Sequence, residues 1–285
     1  MQHSRKIRYI IAFLLLSISV LVFVAMNVCI GTVKISLEDI IASIGGGQIN
    51  NSRILWDIRM PRTMAALILG GALALAGYLL QTFFHNPIAG PFVLGISSGA
   101  KMVVALVMVF LMGQAIRVSS VTLIAAAFLG AMISMGFVLL MSRKVNNMSM
   151  LVVSGVMIGY ICSAVTELVV TFANDAEIVN LHNWSRGSFS GMTWDNVIVM
   201  AVVITVTFVI VFFMAKPLSA YQLGESYAQN MGVNIRVLRV ALVILSSILS
   251  ACIVAFAGPI SFAHLPRRYR DGPQGKSGRD IRIYR

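Results

Sequence analysis

Long apolar runs are the feature that most restricts how this chain can fold. As a helix rising 1.5 Å per residue, each run can cross a hydrocarbon core of about 30 Å. Windows of about twenty residues place these spans at residues 10–30, 64–84, 93–113, 120–141, 150–172, 196–215 and 239–262. Because 58% of the 285 residues are hydrophobic and 11% are charged, the sequence excludes a soluble domain. It predicts an all-α, polytopic bundle of helices embedded in membrane lipid.

The first run and the loop charges bear on orientation. Arg5, Lys6 and Arg8 precede the first run, as in the basic region of a signal peptide. That run is nearer twenty residues than twelve, and no small-x-small cleavage pattern follows it. We therefore expect a retained helix, with a cleaved signal peptide as the alternative. Loop Lys and Arg residues number eight on the N-terminal side of these spans and six on the other, which predicts a cytoplasmic N-terminus.

Neither the net charge nor the cysteines indicate a further function. Much of the charge of +12 lies in the last twenty residues, with seven Lys and Arg against two acids, so we expect no nucleic-acid partner for the bundle. Cys29, Cys162 and Cys252 lie inside apolar runs without CxxC spacing. This placement is typical of small buried hydrophobic residues, and we expect neither a disulfide nor a metal site.

Few ionisable side chains fall at membrane depth. Glu167 and Lys101 are the two that the spans place there. An acid at that depth is costly, so Glu167 either lines a water-filled pathway or reaches the interface from a helix end. Ion-driven transporters rely on intramembrane acids or on broken helices. A single acid predicts that energy arrives from another subunit, with an ion-coupled secondary transporter as the alternative.

Small residues and prolines predict how the helices pack. Gly70, Gly71 and Gly77 alternate with Ala, and the stretches "SSGA", "FLGA" and "VSGVMIG" repeat the pattern, which favours close approach of helix backbones. Two prolines and three glycines in "HNPIAGPFVLGISSGA" (85–100) cannot continue a straight helix. We expect a tight re-entrant turn there, buried in protein.

The segment between the last two spans is organised beyond what a connection needs. In "KPLSAYQLGESYAQNMGVNIRVLR" (216–239), Pro217 and Gly224 precede a stretch from Ser226 to Met231 that can form a short helix, which Gly232 would end. A simple return of the chain would be shorter. The sequence predicts a docking surface for a soluble cytoplasmic partner, with a solvated loop as the alternative.

Three stretches resemble a known family. "IRMPRTMAALILGGALALAGYLLQTFFHNPIAGPFVLGISSGA" (58–100), "LGESYAQNMGVNIRVLR" (223–239) and "VAFAGPISF" (254–262) are similar, in order and spacing, to hallmarks of the FecCD-type permeases. These are membrane subunits of bacterial ATP-driven importers for iron–siderophore, haem and cobalamin. The resemblance implies a cobalamin-permease-like fold with about seven of the family's roughly ten transmembrane helices, in the bacterial inner membrane.

The resemblance also implies partners and site residues. It implies a cytoplasmic ABC ATPase, which binds the ATP and Mg²⁺, an extracytoplasmic binding protein and a second permease subunit, identical or similar. The chain itself would be no enzyme and would bind no cofactor. Arg59 and Arg62 match the positions that contact the binding protein, and on the outer face of the predicted bundle we expect them to be an exposed basic pair, with interfacial anchoring of the second helix as the alternative. The remaining matched positions are the ATPase-coupling residues Leu223, Gly224, Glu225, Ser226, Ala228, Met231 and Gly232, the cytoplasmic gate residues Met148 and Ser149 and an outer gate region at 183–194. The fifth span lines the pathway in the family, which favours Glu167 as a pathway residue.

The family pattern stops at Ala263. We expect residues 1–262 to form an incomplete permease domain, and 263–285 to be a basic tail that is disordered or encoded out of frame. The "GKS" of the tail lacks the Gly that a phosphate-binding loop needs, because Arg270 stands there. The tail charges follow no helical face, which argues against DNA or anionic-lipid binding without excluding it. An inactive permease fragment is therefore a further alternative.

Overall fold

The computed structural model of the chain describes residues 2–31, 33, 53–86, 90, 95–112, 119–144 and 148–259. These ranges are helical with short connections and contain no strand. The expected boundary at residue 262 and the tail that follows it lie outside them. The elements are α1 (Gln2–Cys29), a π-helical segment (Ile54–Arg59), α2 (Met60–Phe84), α3 (Ile96–Met112), α4 (Ser120–Lys144), α5 (Met148–Thr171), α6 (Asp175–Ser185), α7 (Trp194–Phe213), α8 (Ala215–Gln222), α9 (Glu225–Asn230) and α10 (Ile235–Ala257).

Six of the described helical stretches are long and apolar enough to cross a membrane. They are Lys6–Cys29, Ile54–Phe84, Ser120–Met141, Met150–Thr171, Trp194–Phe213 and Ile235–Ala257. The span expected at 93–113 is a shorter apolar helix, Ile96–Leu111. It starts late because Gly95 has a φ of +71° and so cannot belong to it. Most of the predicted re-entrant turn lies outside the described residues.

The centre of the bundle is α10. In the most apolar part of α10, 72% of the residues are buried, and the helix packs against α2, α3, α4 and α7. Three buried serines on it would each be costly without a partner. Ser246 and Ser250 donate to the carbonyls of Val243 and Ser246 at 2.9 and 2.7 Å, and Ser247 lies against the sulfur of Met135. The helix can therefore be polar in part and still form the core.

Close backbone packing joins α3, α4 and α5. A Cβ on Gly130 would lie 2.2 Å from the carbonyl oxygen of Gly99, and one on Gly95 would lie 2.8 Å from that of Gly155. Neither position has room for a side chain. The packing predicted for "SSGA", "FLGA" and "VSGVMIG" is therefore confirmed.

The glycines of α2 make no such contact among the described residues, and their role in helix packing stays a prediction. A Cβ on Gly70, Gly71 or Gly77 would meet no atom within 4 Å. These glycines lie on an open face of α2 in the described part of the chain, while Ala65, Leu69, Ala72, Ala76 and Leu79 form its buried face. Small size alone did not distinguish the two faces, because Ala and Gly occur on both.

The short helix α6 lies between α5 and α7, the fourth and fifth of these long helices. It starts with a capping box, in which the Glu177 carboxylate accepts from the backbone N–H of Asn174 at 3.1 Å. The next helix, α7, is capped at its N-terminus by Thr193, whose hydroxyl accepts from the backbone N–H of Asn196 at 3.4 Å. Capped ends fix where each helix begins, and α6 packs against α3.

Candidate functional site

The predicted coupling segment, residues 223–232, contains the short helix α9. The short helix α8 comes directly before it and supports it. Pro217 lies in the first turn of α8, where its missing N–H costs nothing. Leu223 and Gly224 then connect α8 to α9, with Gly224 at a φ of +125°. The helix predicted from Ser226 to Met231 is confirmed with a shift of one residue. The preceding α8 was not predicted, although a proline followed by helix-forming residues is a signal for such a start.

The end of α9 has the geometry of a Schellman motif. The N–H of Val233 donates to the carbonyl of Ala228 at 3.0 Å, and the N–H of Gly232 donates to that of Gln229 at 2.9 Å. Gly232 has a φ of +82°, which favours glycine. The prediction that Gly232 ends this helix is confirmed. The segment is a defined structure and not a solvated loop.

The coupling segment presents an apolar stripe outward. Leu223, Tyr227 and Met231, four residues apart, are 71%, 49% and 61% exposed. On the opposite side, Ala228 is fully buried. A row of large exposed apolar side chains on an element outside the long apolar helices is typical of a protein-binding surface. Tyr227 was not among the predicted residues, and its spacing of four from Leu223 and Met231 was the signal for it.

An ion pair attaches α9 to α10. The Arg239 guanidinium pairs with the Glu225 carboxylate, and the Tyr221 hydroxyl donates to the same carboxylate at 3.1 Å. Partial burial opposes the charge of Glu225, but the Arg239 hydrogen bond and charge outweigh it and hold the pKa of this carboxyl below its ordinary value. Burial raises the pKa of the Tyr221 hydroxyl. Glu225 thus acts within the protein, by holding α9 in place.

A second set of contacts attaches α8 to α2. The Gln222 amide donates to the Tyr78 hydroxyl at 3.1 Å and to the Thr82 hydroxyl at 3.0 Å. The His85 ring lies 4.8 Å from the Tyr221 ring, centroid to centroid, and its Nε2 is 3.4 Å from the Tyr221 carbonyl oxygen. These contacts span 136 to 144 positions of sequence, so no local pattern could predict them.

The predicted docking arginines lie at the other end of α2 and differ in environment. Arg59 is 8% exposed, so the expectation that both are exposed is wrong for this residue. Its guanidinium donates to the carbonyls of Val28 at 2.5 Å, of Cys29 at 3.2 Å and of Val33. Cationic donors at a helix C-terminus satisfy free carbonyls and complement the helix dipole. Arg59 therefore anchors the end of α1.

Arg62 has a different position, one helical turn further along. It is partly exposed and forms no hydrogen bond or ion pair with any residue that the structure describes. With Arg59 it lines a cavity of about 630 Å³. The other lining residues are Asn27, Ile30, Gly31, Val33, Ile54, Ile58, Ala66, Phe189 and Ser190. Of the two arginines, Arg62 is thus the one with a charge that a partner can reach.

Glu167 and Lys101 meet at one cavity. Both side chains line a space of about 260 Å³ between α3, α5 and α6, together with His182. Glu167 is exposed and Lys101 is partly buried. The structure thus places the two ionisable residues predicted at membrane depth on the lining of one cavity, which the sequence did not indicate. The role of Glu167 in a pathway stays a prediction.

The predicted gates are described only in part. Met148 and Ser149 form the first turn of α5, and their side chains lie outside the described residues. The outer gate region, 183–194, packs on the end of α10, where the Ser188 N–H donates to the Ala257 carbonyl at 2.8 Å. The Trp194 indole N–H donates to the Trp56 carbonyl at 2.8 Å, which ties α7 to the π-helical segment. Among the described residues, no group of His, Cys, Asp and Glu is placed to hold a metal ion.

Comparison with known proteins relates this arrangement to transport. The profile of the FecCD transport family matches residues 18–265. The chain is 33% identical over 264 residues to the vitamin B12 import system permease protein BtuC of Salmonella typhi, across 93% of this chain and 77% of that protein. It is 32% identical to the same protein of Salmonella paratyphi A, with the same coverage.

A solved structure shares the fold. The structure described as an inward-facing conformation of a metal-chelate type ABC transporter superposes with a TM-score of 0.73 and 26% identity. The match covers 85% of this chain and 74% of that chain. Both comparisons point to the same kind of membrane protein.

Proposed function

Because the chain belongs to the FecCD transport family and is the multi-pass permease subunit of an ABC importer, we propose that it carries a metal chelate across the bacterial inner membrane. The cargo class is cobalamin, haem or an iron–siderophore. The names of the relatives support the class, since they specify vitamin B12 import and metal-chelate transport. The orientation in this proposal has the N-terminus in the cytoplasm.

The observation that carries the proposal is the exposed apolar stripe on a rigid coupling segment. Leu223, Tyr227 and Met231 are exposed along the coupling segment, and the Schellman motif and the Glu225–Arg239 ion pair hold α9 in place. An ATPase that pushes on this surface moves α8 and α10 with it. In this proposal ATP and Mg²⁺ bind to the ATPase, and this chain contributes the docking surface.

At the opposite end of the bundle, we assign the binding-protein contact to Arg62. An accessible cation beside a cavity of about 630 Å³ attracts an acidic side chain of a partner and fixes its register. Arg59 contributes indirectly, because it positions the segment that carries Arg62. This division of roles refines the expectation that both arginines contact the partner.

The substrate pathway is proposed to run along α5, between this chain and a second permease subunit, identical or similar. Glu167 lines it near its outer end, and Met148 and Ser149 lie at its cytoplasmic end. Exposed large apolar side chains along α5, among them Met157, Tyr160, Ile161 and Leu168, are available to meet that second subunit.

Transport in proteoliposomes tests the function. Vesicles containing this chain with its ATPase and binding protein should accumulate radiolabelled cyanocobalamin, haem or a ferric siderophore when ATP is enclosed with the ATPase. A protonophore and a sodium ionophore should leave the initial rate unchanged. Uptake that needs an ion gradient and proceeds without ATP would instead identify a secondary transporter.

A matched variant ties the activity to the coupling segment. Tyr227→Ser together with Met231→Ser removes two of the three residues of the apolar stripe and should reduce both ATPase binding and uptake by at least tenfold, since two exposed anchors of an interface are lost. Val237→Ser changes an equally exposed apolar residue, 62% exposed on α10, and should retain ATPase binding.

A further inference from the structure

One continuous helix joins the two regions that would meet the partners. The π-helical segment and α2 run without a break from Ile54 to Phe84, 31 residues, which is about 45 Å at the usual helical rise. Arg59 and Arg62 lie near its first end. Tyr78, Thr82 and His85 lie at its second end, where α8 is attached.

The first end is held by contacts with two different elements. Arg59 binds the terminal carbonyls of α1, and the Thr63 hydroxyl lies 2.9 Å from the Asn27 side-chain oxygen. The Trp56 carbonyl accepts from the Trp194 indole of α7. This end also contains the π-helical turn, a geometry that is rare and often found at functional sites.

The second end is held by a joint that we define as Tyr78, Thr82, His85, Tyr221 and Gln222. The Gln222 amide donates to two hydroxyls on successive turns of α2, at 3.1 and 3.0 Å. The ring of Tyr221, a fully buried residue, packs against the tilted ring of His85, with 4.8 Å between the ring centroids. Tyr221 also donates to Glu225, so the joint extends into α9.

We infer that this joint is a positioning device: it keeps the coupling segment fixed to the end of α2, so that a shift of the Arg62 end is transmitted to the ATPase surface. The inference rests on the proposed function. A single rigid helix held at both ends transmits displacement directly, since helix interiors do not compress. Gln222 and Tyr221 act through α2 and do not themselves touch cargo.

The test measures how strongly the binding protein stimulates ATP hydrolysis by the reconstituted importer. Gln222→Leu removes both hydrogen bonds to α2 and should lower the ratio of stimulated to basal ATPase rate by about fivefold or more, since each net hydrogen bond contributes roughly a factor of two to ten. Gln222→Glu should restore most of the ratio, because the hydroxyls of Tyr78 and Thr82 can donate to a carboxylate. A merely structural role would not predict this rescue.

Gln81→Leu is the matched control. Gln81 is exposed on α2 and lines the same small cavity as Gln222, but its side chain has no hydrogen bond to any residue that the structure describes. The ratio should be that of the wild type. An unchanged ratio in Gln222→Leu, or an equal fall in Gln81→Leu, would overturn the inference.

A crosslink gives a second measurement, in which a covalent bridge takes the place of the hydrogen bonds of the joint. Tyr78→Cys with Gln222→Cys, bridged by a short reducible bis-methanethiosulfonate, should retain stimulated ATPase activity and uptake, because the joint stays closed throughout the cycle. Activity lost on crosslinking and regained on reduction would show that the joint opens, which contradicts the inference. ATP-dependent uptake by the wild-type importer is measured first, before any variant is compared. If the wild type shows none, the proposed function itself is refuted.

Discussion

The Arg239 guanidinium forms an ion pair with the Glu225 carboxylate, and these residues belong to different helices, α10 and α9. The central helix of the bundle is thereby connected to the coupling segment. Tyr221 donates to the same carboxylate and completes a small polar cluster.

Exchange of the two charges should reveal the ion pair. Because the side chains are 35% and 38% exposed, each single reversal, Glu225→Lys or Arg239→Glu, should destabilise the protein by about 0.5–1 kcal/mol. The double reversal should recover about half of that loss or more. Thermal unfolding in detergent, analysed as a double-mutant cycle, measures the coupling. Additive losses in the double variant would contradict the pairing.

The pH dependence has a defined sign. The pKa of Glu225 lies below its ordinary value of 4.5 in the folded chain, so the ionised carboxylate stabilises the fold above pH 4.5. This stabilisation is lost as the pH falls through the lowered pKa. The difference in melting temperature between the wild type and Glu225→Gln should be constant at neutral pH and shrink in acid below 4.5. A difference that grows in acid would refute the ionised state.

Glycine contacts between α3 and α4 should tolerate no side chain. In Gly130→Ala the new methyl group would lie 2.2 Å from the Gly99 carbonyl oxygen, so the helices must separate, at a cost of about 1–3 kcal/mol. Gly77→Ala, in open space, is the control and should be neutral or slightly stabilising. Unfolding midpoints in detergent distinguish the two variants, and equal midpoints would contradict the packing.

Measurements should distinguish the role of Arg59 from that of Arg62. Arg59→Gln leaves the carbonyls of Val28 and Cys29 without their donor, at a cost of about 1–3 kcal/mol, and should loosen the end of α1. Faster maleimide labelling of the half-buried Cys29 reports this. Arg62→Gln should leave the labelling rate unchanged.

The complementary readout is binding-protein affinity. Arg62→Glu should weaken docking at low ionic strength and make it less dependent on salt, because a steering charge is reversed. Affinity unchanged by Arg62→Glu would remove the proposed contact.

Much of the architecture could be predicted from the sequence because the membrane imposes it. The apolar runs predicted the positions of the long helices, and Gly232 predicted the end of α9. Both signals are local, because they reflect what the backbone requires at that point of the chain. The resemblance of residues 58–100, 223–239 and 254–262 to the FecCD-type permeases is confirmed by the family match and by the shared helical fold.

What the sequence did not reveal depends on contacts between distant residues. From the sequence, Arg59 is expected to be a surface cation. It is buried because its guanidinium donates hydrogen bonds to carbonyls 26 to 31 positions earlier in the chain. Gly77 and Gly130 look alike in sequence, but one lies in open space and the other against a backbone. The helix α6 is a different case: Asn174 and Glu177 have capping-box spacing, a local signal that could have predicted it.

The attachment of α1 at its carboxyl end has an evolutionary consequence. None of the most apolar part of this helix is buried in the described structure, so lipid solubility is the main demand on residues such as Phe13 and Leu21. Substitutions there can accumulate freely among apolar types. Selection should act instead on the last turn, where the carbonyls of Val28 and Cys29 accept hydrogen bonds from the Arg59 guanidinium. Sequence variation along α1 should therefore decrease toward that turn.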